Sequence, residues 1–181
     1  MSHKSFIILA LFLSAALCYN NYKQCDAAWG SHHLGTSSNT ICKAGCLMSS
    51  VSDVISGHNP GTLNTWLTNH HGYANGDLFV WTAVAPFGLS YKGQITNHDE
   101  MRSLFHSGHI VILNVHNGGH WVLTTGVEGT NFAVHDPGFS NTHYTQADVV
   151  RAGIYAKGKN YVEPKKEEEQ PAEVPVPEFM N

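Results

Sequence analysis

Residues 109–136 read HIVILNVHNGGHWVLTTGVEGTNFAVHD, and this stretch decides the fold. His109 to His116 is an apolar run with the length of a buried strand. Asn117-Gly118-Gly119 supplies turn chemistry, and His120 to Val127 returns as a second strand. Glu128-Gly129-Thr130 turns again into Asn131 to Asp136, which Pro137-Gly138 ends. Strands joined by short turns form an antiparallel meander, in which the start of one strand lies beside the end of the next. The second strand starts at His120 and the third ends at Asp136, so the meander alone sets a histidine beside a carboxylate.

Upstream the period changes to that of helices. Cys46, Leu47, Val51, Val54 and Ile55 have helical spacing between Gly45 and Ile55, with Gly57 as the stop, which puts Cys46 in the first turn. Asn59-Pro60 is a cap followed by proline at the first helical position, predicting a helix through Trp66 to Asn69. Asp77 to Val84 fits a third helix or a strand. Asn97-His98-Asp99-Glu100 resembles a capping box, opening a helix that Gly108 closes. A last helix is expected from the Thr145 cap, with Asp148 three residues on. Helical segments followed by a meander predict an α+β chain, its N-terminal helical half packed on the antiparallel sheet.

The ends read differently. Lys4, the apolar run Phe6 to Leu13 and the small residues Ser14-Ala15-Ala16 make residues 1–18 a secretory signal peptide, with cleavage near Cys18. That run is too short to span a bilayer, which takes roughly 20 residues, and no second stretch comes near that length. From Glu163 the chain turns acidic and proline-rich, a composition that leaves too little apolar surface for folding, so residues 163–181 are expected to be a disordered tail. Residues 19–162 form one domain. Net charge −4 and only 13% charged residues argue against nucleic acid and against an anionic membrane surface as partners. Secretion is the expected destination.

Of the four cysteines, Cys18 leaves with the signal or sits at its edge. Cys25, Cys42 and Cys46 remain, an odd number in an oxidising compartment, where the odd one is either intermolecular or a free thiol. Cys25 with Cys42 is the expected pair and leaves Cys46 free; Cys42 with Cys46 remains open, because Cys42 is expected to precede the helix. A thiol reacts as thiolate, which a helix N-terminus and a nearby imidazolium both favour. Gly45 in front of Cys46 leaves room for a substrate backbone. On the helix alone, a buried structural cysteine fits Cys46 equally well.

Several motifs occur in one order along the chain. They are Tyr22-x-Gln24-x-Asp26-x-x-Trp29-Gly30, Ile41 through Gly45-Cys46, Leu63-x-x-Trp66-Leu67, Gly119-His120-Trp121-Val122 and Asp136-Pro137-Gly138. In this the chain resembles the papain-like cysteine peptidases related to bacteriocin-leader-processing peptidases, in particular their stand-alone secreted C39-like relatives. The resemblance implies a papain-like fold and a cysteine peptidase or related amide hydrolase. It assigns Cys46 as nucleophile, His120 as general base, Asp136 as the group that orients the histidine, and Gln24 as an oxyanion-hole donor. It implies a peptide or other amide substrate and no metal or cofactor. One departure is local: family members often carry a small residue after Gly-Cys and Thr or Ser two places on, where this chain has Leu47, Met48 and Ser49. A bulky Leu47 narrows the cleft or packs inward.

His32-His33, His70-His71, and His116 with His120 invite a zinc site, but adjacent histidines in a strand point to opposite faces and no carboxylate clearly joins them. Trp29, Trp66, Trp81 and Trp121 fit core or cleft walls better than a carbohydrate platform. The alternative from another class is a non-catalytic binding module that keeps the fold.

Overall fold

The computed structural model describes residues 19–164, so the expected signal peptide and the expected tail beyond Pro164 lie outside the described residues. Helix α1 (Ile41–Ala44) starts at Thr40, whose side chain accepts the Lys43 N–H. Gly45 then breaks the path, and α2 runs from Cys46 to Ser52. The break needs glycine: a Cβ on Gly45 would sit 2.6 Å from the Ile41 carbonyl oxygen. Gly45 thus serves the joint between two helices, beyond any room it leaves for substrate. Cys42 precedes the helix that carries Cys46, as expected, and lies in the short α1 before it. Helix α3 (Pro60–Asn69) begins as expected, with the Asn59 side chain accepting the Thr62 N–H at 2.9 Å.

Asp77 to Val84 is neither one helix nor one strand. Strands β1 (Tyr73–Ala74) and β2 (Leu78–Phe79) make a small hairpin, and a 3-10 helix follows over Trp81–Phe87. Strand β3 (Leu89–Ile95) leads to α4 (His98–His106), where Asn97 accepts the Glu100 N–H at 3.0 Å and Gly108 follows the helix at a left-handed φ of 87°. Then come β4 (Ile110–Val115), β5 (His120–Glu128), β6 (Asn131–His135), β7 (His143–Thr145) and β8 (Arg151–Lys157).

The helix expected from Thr145 is a correction. Its capping box is present, with Thr145 and Asp148 bonded to one another, but only one 3-10 turn (Gln146–Asp148) grows from it. The Val150 N–H donates to the Asn114 carbonyl at 2.9 Å, and the chain continues as β8 along β4. Tertiary pairing overrides a good local start, as it routinely does for short elements.

Six strands form one antiparallel sheet in the order β3-β8-β4-β5-β6-β7. The expected meander is its β4-β5-β6 portion. All six residues of β4 are buried because both faces of the sheet are covered. Ile110 and Ile112 pack with Ile41, Val51 and Leu63 of the helical half. Val111, Leu113 and Val115 pack with Met101 of α4 and with Phe132 and Tyr144. The architecture is α+β, with helices α1–α3 on one face and α4 on the other. Trp29, Trp66, Trp81 and Trp121 all pack against the first of these cores. Among the described residues, no helix is long and apolar enough to cross a membrane.

Candidate active site

Cys46 sits where α2 meets β5. The Ser50 hydroxyl, one turn further along α2, donates to the Trp121 carbonyl at 3.3 Å and ties the helix to the strand that starts at His120. On the sheet side, the Asn114 side chain of β4 donates to the His120 carbonyl at 3.0 Å and the Gly118 carbonyl at 3.1 Å. The tight turn between these strands puts His116 and Asn117 at left-handed φ values of 52° and 54°. Strand register pairs Leu123 with His135, so Asp136 leaves β6 next to the start of β5.

The meander's expected neighbours do meet. His120 Nε2 lies 2.7 Å from Asp136 Oδ1, with both residues buried. The same carboxylate oxygen accepts the Gly138 N–H at 2.9 Å and the Phe139 N–H at 3.0 Å. The Tyr144 hydroxyl donates to Asp136 Oδ2 at 2.7 Å. The His120 ring also bonds to the Cys46 side chain. With Nε2 committed to Asp136, the nitrogen left for the thiol is Nδ1. Gly138 is confined to glycine by this packing, since a Cβ there would come within 2.9 Å of His120 Cε1.

Charge follows from these contacts. Burial works against a charged His120, but the hydrogen bonds with Asp136 and Cys46 push it up to about 9 from 6.5. Burial also opposes ionisation of Asp136, yet its bonds with His120, Tyr144 and the Gly138 N–H hold it down at about 2. An imidazolium facing a carboxylate is therefore the resting state at neutral pH.

The disulfide joins Cys25 to Cys42, and Cys46 is the free cysteine among the described residues. That pairing anchors the segment from Tyr19 to Cys25, which crosses the site. Lys23 Nζ donates to the Asp136 carbonyl at 2.5 Å, and the Gln24 N–H donates to the Pro137 carbonyl at 2.9 Å. Gln24 is buried, with Nε2 donating to the Cys42 carbonyl at 2.6 Å. A carbonyl partner fixes which end of the amide is NH₂. That bond uses one of the two Nε2 hydrogens, while Oε1 is buried without a partner.

Cys46, His120 and Gln24 open into a cleft of about 550 Å³. Leu47, Met48, Phe79, Trp121 and Phe139 are among its apolar lining, with Lys43 and Asp77 as the charged groups. Leu47 does both things its bulk suggested: it lines this cleft and packs against the core. Leu78 and Phe139, at 58% and 51% exposed, are large apolar side chains left in solvent at its rim.

Tyr144, Lys23 and Phe139 were not legible as parts of the site. His116, a zinc candidate from the sequence, stacks on His120 with ring centroids 5.5 Å apart. Among the described residues, no group of three or more His, Cys, Asp or Glu is placed to hold a metal ion. Compared with protein-family models and with curated protein sequences, the chain matches none.

Proposed function

We propose that this chain is a secreted cysteine hydrolase with a papain-like fold, cleaving peptide or related amide bonds through an acyl-enzyme. The observation that carries the proposal is the line Cys46–His120–Asp136, with the imidazole bonded to the thiol on one side and to a buried carboxylate on the other. The proton shared between Cys46 and Nδ1 of His120 stays on the imidazole, and the sulfur attacks the amide carbonyl carbon. The oxyanion is met by a backbone N–H near Cys46 and by the remaining Gln24 Nε2 hydrogen. Protonated His120 gives its proton to the leaving amine, and water then attacks the thioester with His120 as base, releasing acid and regenerating the thiol. Asp136 keeps the ring in one orientation throughout. A disulfide within the chain fits an oxidising compartment, which supports secretion.

Treating the full chain with iodoacetamide across pH tests this, beside Cys46→Ala and His120→Ala variants. Labelling is expected on Cys46, and is expected to slow about tenfold or more at pH 6–7 without His120. A Cys46 that reacts no faster than an ordinary thiol, and is indifferent to His120, would instead favour a binding module that uses the same cleft.

A further inference from the structure

Tyr144 lies on β7 opposite Phe132 of β6, with only 7% of its surface exposed. Three polar groups surround its hydroxyl. Oδ2 of Asp136 is 2.7 Å away, Nδ2 of Asn141 is 2.7 Å away, and Nε2 of His116 is 3.2 Å away. A phenol has one proton and two lone pairs. An ionised carboxylate can only accept, so the proton goes to Asp136. Asn141 and His116 must then both donate, which places a hydrogen on Nε2 of His116. All three valences of the oxygen are filled, and its direction is fixed.

The two oxygens of Asp136 divide their work unequally. Oδ1 takes three donors, namely His120 Nε2 and the N–H groups of Gly138 and Phe139; Oδ2 takes Tyr144. The last torsion of an aspartate is soft, so the donor on Oδ2 decides how squarely Oδ1 faces the imidazole. One of the groups that hold the hydroxyl, His116, also walls the histidine. The His116 ring stacks on His120 at an interplanar angle of 24°, and Phe139 meets both rings edge-on at 5.0 and 5.1 Å.

We propose that Tyr144, held by Asn141 and His116, is a positioning residue: it pins the second carboxylate oxygen of Asp136 and so fixes how His120 presents its free nitrogen to Cys46. This rests on the hydrolase function proposed above. Without thiol chemistry the same network would be only a structural contact.

The test uses Tyr144→Phe in the full chain, which keeps the ring and removes the hydroxyl. Two quantities are read: the iodoacetamide labelling rate of Cys46 against pH, and the His120 ring titration by NMR. The labelling rate at pH 7 is expected to fall about tenfold. The His120 midpoint is expected to move upward, because Asp136 loses the donor that shares its charge. Asn141→Leu and His116→Phe, at exposed positions, should shift both readouts the same way by less, and they carry the test if Tyr144→Phe folds poorly. A lower melting temperature with the rate and the midpoint both unchanged overturns the proposal and leaves Tyr144 a core residue. If His120→Ala slows labelling but Tyr144→Phe does not, this inference alone falls. If His120→Ala is also without effect, the hydrolase reading falls with it.

Discussion

Asp53 and Asp136 are both shut away from solvent, at 0% and 1% exposure, and their surroundings treat them in opposite ways. Asp136 receives four hydrogen bonds, one of them from a basic ring, and stays ionised down to about 2. Asp53, at the end of α2, accepts the Tyr22 N–H at 2.8 Å on Oδ1, while Oδ2 has no hydrogen-bond partner and His135 Nδ1 stands 3.9 Å off. Burial pushes that carboxyl well above the ordinary range, against the Tyr22 N–H and the charge of Lys23. Burial alone neutralises an acid; donors keep it charged. One segment serves both, since Tyr22 bonds to Asp53 while Lys23 and Gln24 bond to the residues around Asp136.

The largest effect is expected from Asp136→Ala. It strands a buried imidazolium and the Tyr144 hydroxyl together, so unfolding free energy should drop by about 3–5 kcal/mol, measured by urea denaturation. Cys46 labelling at pH 7 should slow about a hundredfold. Replacing Cys25 and Cys42 by serine releases the segment that touches both acids. A loop of this size costs about 3 kcal/mol when its bridge is lost, and both Tyr22 and Gln24 should gain amide or side-chain exchange in NMR spectra. Gly138→Ala, whose methyl would press on His120, should cost about 1–3 kcal/mol and slow labelling while leaving the surroundings of Asp53 unchanged.

The smallest effect is expected at Asp53. Asp53→Asn should raise stability at neutral pH by about 1 kcal/mol and change nothing near pH 3. A raised acid favours the fold at low pH and loses that contribution as pH climbs, so the gain grows with pH. His120 also holds its proton more tightly when folded, at about 9 against 6.5, so its contribution is complete below pH 6.5 and fades through 9. Asp136 runs the other way, with its contribution complete above 3.8 and lost as pH falls through 2. Melting curves from pH 2 to 10 should show the 6.5–9 decline in wild type and lose it in His120→Ala.

Much of this was readable from residue order. Asn59 and Asn97 named the starts of two helices, and the turns at Asn117-Gly118-Gly119 and Glu128-Gly129-Thr130 set the strand order that brings His120 to Asp136. Strands β3 and β8 were not anticipated. β8 reads RAGIYAK, short of the β-branched residues that mark strands, and its identity comes from neighbours on both sides. Tyr144 had no local signal either; only the pairing of Phe132 with Tyr144 turns the ring toward Asp136.

The place of β8 bears on how the chain is made. It is the last strand among the described residues, yet it lies inside the sheet between β3 and β4. A chain emerging from the ribosome in order presents β4, β5 and β6 with one flank bare, and β3 has no strand to pair with, until residues 151–157 arrive. Val150, whose N–H secures the Asn114 carbonyl, is added just before that strand, and Asn114 in turn steadies the His120 hairpin. On the function proposed above, Cys46 would thus lack a steadied His120 until residues 150–157 have been made.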